Sequence, residues 1–137
     1  MTHRLILKLA AFVGLVFGIA LMFAPDVLLE AYGADSLNNP GRGMAMLYGA
    51  FLTGFAVMNF TASRAQDVAE IHYVLIGNLA AFTLAFVITL YRQLMVETVR
   101  DTAWFNVMLN FGFAALFGYL YMASPAGYRL HTSGRHA

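Results

Sequence analysis

A chain of 137 residues has the length of one domain, yet 61% of it is hydrophobic and 11% charged, where soluble domains carry about a quarter charged residues. A membrane protein is expected. The formal net charge of +1, without a long basic run, excludes nucleic acid as a partner, and the absence of cysteine removes disulfides, thiolate metal sites and Cys nucleophiles.

The first apolar segment, residues 5–24, carries only Lys8 near its start and is long enough to cross a hydrocarbon core. A secretory signal peptide is the competing reading of His3, Arg4 and Lys8. The apolar part is too long for one, and Pro25 stands where cleavage would fall, so the segment is expected to be retained as a span. Ala11, Gly14, Gly18 and Met22 line one side of it. Pro25, then Val27 to Leu29, then Gly33 after Tyr32, predict a short surface helix with a glycine stop, followed by a turn at 35–41 (DSLNNPG).

The second span, 44–61, has no charge, and Ala45, Gly49, Thr53 and Ala56 recur at spacings of three and four on one face. That face suits close approach to the small-residue stripe of the first span. The polar link 62–70 is short, so the spans around it are antiparallel neighbours. In the third span, 71–91, Asn78, Ala81, Ala85 and Thr89 share an inward face that Arg92 continues; the charged stretch 93–102 is a candidate extension of the same helix. The last span, 103–123, opens with Trp104 and closes with Tyr119 and Tyr121, with Ser124 and Pro125 as its stop and an unstructured tail to 137. The whole is a single integral membrane domain: an all-α, four-transmembrane-helix bundle with short amphipathic surface segments. Arg4, Lys8, Arg64, Arg129 and Arg135 fall on the side of the termini and Arg42, Arg92 and Arg100 opposite, which favours cytoplasmic termini. The shared endings MFAP (22–25) and MASP (122–125) are too short to argue an internal repeat.

Buried ionisable residues mark function in membrane proteins, and none is expected in the middle of a span, which counts against a proton-coupled pump. The polar side chains within spans are the amides Asn59, Asn78, Asn106 and Asn110. Asn106 and Asn110 share a face and read as interhelical hydrogen-bonding groups or as ligand contacts. Asn78 and Asn110 differ in height by roughly 10 Å at 1.5 Å per residue, so they do not make one site. His72 lies at a boundary, and His3, His131 and His136 in tails; no pair has zinc spacing, and neither a metal nor a cofactor is expected. Arg42 and Arg92 are the sharper candidates, expected at the outer rim near Asp26, Glu30 and Glu97 and able to hold an anionic lipid head or the polar end of a quinone, or simply to form ion pairs or snorkel there.

The first span ending in Pro25, the run Leu28 to Gly33 (LLEAYG) and Gly41-Arg42-Gly43 opening the second span resemble small bacterial four-span proteins of unknown function grouped with the DoxX-like families. The resemblance implies a bundle in the bacterial inner membrane and supplies no activity; the acidic residue that DoxX proteins tend to carry in the second span is missing here, so a redox role is not carried over. The leading expectation is a non-catalytic accessory or interaction subunit of a membrane assembly, a homo-oligomer or a partner in a larger complex, held through Gly14, Gly18, Gly49, Ala56, Ala81 and Ala85. The alternative is a carrier or enzyme for an apolar small molecule such as a lipid or quinone, with Arg42, Arg92, Asn78, Asn106 and Asn110 as its tentative contacts.

Overall fold

The computed structural model describes residues 2–34, 37–97 and 99–123. Ser124, Pro125, His131, His136 and the expected tail lie outside the described residues, as does Asp35 of the expected turn. Among the described residues the fold is all-helical: α1 Thr2–Phe23, α2 Pro25–Ala31, α3 Asn39–Ala62, α4 His72–Met95 and α5 Trp104–Ala123, with short 3-10 turns at Val68–Ile71 and Asp101–Ala103. Four of these segments are long and apolar enough to cross a membrane.

α3 starts earlier than the apolar pattern suggests, at Asn39 rather than near Met44. The side chain of Asn38 accepts the Gly41 N–H at 2.8 Å, and Pro40 sits in the first turn, where its missing N–H costs nothing. α4 runs on to Met95, after which Val96 is extended, so only the beginning of the charged stretch 93–102 continues the helix. α1 begins at Thr2, which places His3 in a helix and buried, not in a tail. Beside it, Arg4 Nε donates to the Ala65 carbonyl at 3.3 Å, tying α1 to the α3–α4 connection.

The helices form two pairs. α1 and α3 meet backbone to backbone because glycine and alanine remove side chains from the contact. A methyl at Gly18 would come within 2.9 Å of the Gly49 carbonyl oxygen, and one at Gly49 within 2.7 Å of the Gly18 carbonyl oxygen. One turn further along, Gly14 faces Ala56. Thr53 Oγ1 donates to the Gly49 carbonyl at 2.9 Å and so leaves no polar hydrogen unmet in the contact. α4 and α5 make the second pair with larger side chains, centred on Phe82 stacked on Phe113 and Phe117.

The pairs are joined at one end. Ile6, Leu7, Ala62, Ile71, Leu75, Phe117 and Leu120 form one core cluster there, with Leu7, Leu75 and Phe117 wholly shielded. Within that end Asn78 Nδ2 donates to Asn59 Oδ1 at 2.8 Å, the direct amide link from α4 to α3. At the opposite end the pairs separate, and α2 lies across the gap.

Candidate functional site

α2 is placed as a roof by contacts at both of its ends. Pro25 is buried directly after α1, and Asp26 forms an ion pair with Arg42 at the start of α3, Oδ2 to Nη2 at 2.9 Å. At its C-terminus the Gly33 N–H donates to the Glu30 carbonyl and the Ala34 N–H to the Leu29 carbonyl, both at 3.0 Å. This is a Schellman stop, and it requires the positive φ of Gly33, 92°. The freed Ala31 carbonyl accepts from Thr102 Oγ1, and the Tyr32 carbonyl from the Arg100 N–H, so the α4–α5 connection holds the far edge of the roof.

Beneath α2 lies an apolar chamber of about 440 Å³, within the range that takes a small ligand. Its walls come from all five helices: Val13, Gly14 and Phe17 of α1, Leu28 and Leu29 of α2, Leu52 and Phe55 of α3, Ala81, Phe82 and Ala85 of α4, and Leu109 of α5. Phe82 is the floor, since its ring also packs on Phe113 and Phe117 of the core and lies 6.1 Å edge-on from Phe55. Tyr48 and Phe51 of α3 also line the chamber and yet are 56% and 68% exposed, so this part of its wall reaches the outer surface of the bundle.

A second cavity, about 470 Å³, adjoins the chamber and shares Leu29, Tyr32, Thr89 and Asn106 with it. It is the polar mouth, lined also by Arg92 and Gln93 at the end of α4. Among the described residues the mouth and the chamber are lined by one charged side chain, Arg92, and by no carboxylate or imidazole. Gln93 Oε1 is buried without a hydrogen-bond partner. Burial pushes the Tyr32 phenol above its ordinary pKa, which keeps it protonated and able to donate.

The tentative sequence contacts therefore divide. Arg92, Asn106 and Asn110 line the cavities, with the Asn110 amino group donating to the Asn106 carbonyl at 2.8 Å and to its Oδ1 at 3.0 Å, within one helix and not across the bundle. Asn78 does not reach the cavities: it is wholly shielded, and its amino group is shared between Asn59 and the Val74 carbonyl. Arg42 is likewise outside them and engaged with Asp26. Of the small residues, Gly14, Gly18, Gly49 and Ala56 lie in the α1–α3 contact, whereas Ala81 and Ala85 line the chamber. Sequence reasoning did not single out Tyr32 or Gln93. The available signal for Gln93 was its place one turn after Thr89 on the face already read as inward. Among the described residues no group of His, Asp or Glu could hold a metal ion. Comparison of the chain with protein-family models, curated proteins and solved structures gives no match.

Proposed function

We propose that the protein binds one amphipathic small molecule between its two helix pairs, its apolar part in the chamber and its polar end at the mouth beside Arg92. The observation that carries this reading is the adjacency of the two cavities, which share Leu29, Tyr32, Thr89 and Asn106, the one apolar at the Phe82 floor and the other more polar under the end of α2. A tail already in lipid gains little from burial as such, so the polar end at the mouth is what would favour this site over the bilayer. The lining offers no nucleophile with a neighbouring base, so binding or carriage is favoured over catalysis. The accessory-subunit reading drew on small-residue faces; Gly14, Gly18, Gly49 and Ala56 are already occupied within the chain, which moves the support to the cavity. The bias of Lys and Arg toward the side of the termini supports cytoplasmic termini, and a bacterial inner-membrane location rests on the resemblance alone.

Native mass spectrometry of the protein gently extracted from its own membrane tests the reading. A small-molecule adduct is expected on the wild type and lost in Ala85→Phe, which fills the chamber from a half-buried position without entering the core. A fixed partner-protein mass with no adduct would overturn it in favour of the accessory subunit.

A further inference from the structure

We infer that the head group held at the mouth is anionic and also carries a hydroxyl, as in an acylglycerol phosphate. This rests on the proposed binding of an amphiphile and concerns only its polar end. The first observation is charge. Among the described residues Arg92 is the one charged side chain lining the two cavities; of the two acids on the roof, Asp26 is paired with Arg42 and Glu30 is exposed and lines neither cavity. A guanidinium beside an apolar chamber favours a phosphate or carboxylate, which it can meet with two parallel N–H groups. The second observation is the Gln93 carbonyl oxygen, buried and unmet in a cavity wall. An orphan acceptor of this kind is costly until a donor reaches it.

The neighbours do not supply that donor. Thr89 Oγ1 already donates to the Ala85 and Phe86 carbonyls, and the Tyr32 hydroxyl, the Asn106 amide and Arg92, which line the same cavity, make no hydrogen bond to Gln93 Oε1. A bare carboxylate would satisfy Arg92 and leave Gln93 unmet. A neutral alcohol would do the reverse. A head that carries both a negative group and a hydroxyl meets both, and the Tyr32 phenol, which lines the same cavity, is a further donor for the anion.

The test is equilibrium binding to the full chain in a neutral maltoside detergent, with three probes that share an oleoyl tail: 1-oleoylglycerol 3-phosphate, oleate and monoolein. The phosphate is expected to bind most tightly. Arg92→Gln should weaken the phosphate and oleate by about tenfold or more, the scale of a charge-assisted hydrogen bond, and leave monoolein within about twofold. Arg92→Lys should recover most of the phosphate binding, which also shows that the site folds without the guanidinium. Gln93→Leu should weaken the two hydroxyl-bearing probes and spare oleate. If all three probes bind equally, lose affinity together in Ala85→Phe and ignore Arg92→Gln, the head-group assignment is overturned while the chamber reading stands. If none binds above the Ala85→Phe background, both fall.

Discussion

The two faces of α3 are built on opposite principles. One carries Gly49, Thr53 and Ala56 and lies against α1 with no room for an added methyl. The other carries Tyr48, Phe51, Leu52 and Phe55 and borders a chamber. Large side chains thus surround the empty space and small ones the filled contact. In lipid there is no hydrophobic force between helices, so association depends on how closely backbones approach, and the glycine face supplies it. With α1–α3 fixed in this way and the α4–α5 pair joined to it at one end, the aromatic face need not pack to the end of the helix. Rigidity on one side permits the void on the other.

The strongest way to break this contrast is to put a side chain into the tight face. Gly49→Leu would drive its Cβ into the Gly18 carbonyl and the Met22 backbone. We expect a loss of about 3 kcal/mol, the upper part of the usual range for overpacking, read as a large fall in thermal stability in detergent and as loss of any cavity ligand. Gly54→Leu on the same helix is the control, because a Cβ there meets nothing within 4 Å. Equal damage from both variants would sink the idea that only one face of α3 is close-packed.

The amide link between the pairs should matter less. Asn59 and Asn78 are both wholly shielded, and each retains an unmet polar atom, Asn59 Nδ2 and Asn78 Oδ1. A double-mutant cycle with leucine at both positions should give a coupling of about 0.6–1.7 kcal/mol, the span measured for such contacts in membranes. The double variant should be less impaired than the two single losses added together, since each single change strands the other amide. A coupling near zero would mean that the shared core of Leu7, Leu75 and Phe117 joins the pairs unaided.

The α1–α3 pairing could be read from the chain because backbone contact leaves a periodic trace: Gly14 and Gly18 on one helix, Gly49, Thr53 and Ala56 on the other. The stop of α2 at Gly33 was legible for a similar local reason, a left-handed backbone that glycine adopts freely. The chamber was not legible. Asn78, Ala81, Ala85 and Thr89 do share a face, but periodicity does not say which neighbour that face meets. Asn78 meets α3 in a sealed contact, whereas Ala81 and Ala85, about one and two turns further along, line the chamber. Asp26 and Arg42 could be placed together at the rim from the sequence, and they pair there, but nothing in the sequence relates Thr102 to Ala31, the contact that ties the end of the α2 roof to the α4–α5 connection.

The smallest expected effect concerns that roof. Asp26 and Arg42 are both partly exposed, with side chains 35% and 48% accessible, so screening limits the pair to at most about 1 kcal/mol. Asp26→Asn should therefore leave the unfolding temperature nearly unchanged. Its consequence should be local, since Pro25 and Thr102 anchor the ends of α2 while, among the described residues, the ion pair is the salt bridge that ties the helix to α3. Amide hydrogen exchange in residues 25–31 should quicken while the α1–α3 contact stays protected. Exchange that quickens equally in both places would mean that the roof and the tight face of α3 unfold as one unit, and that the void is less independent of the packed side than the geometry implies.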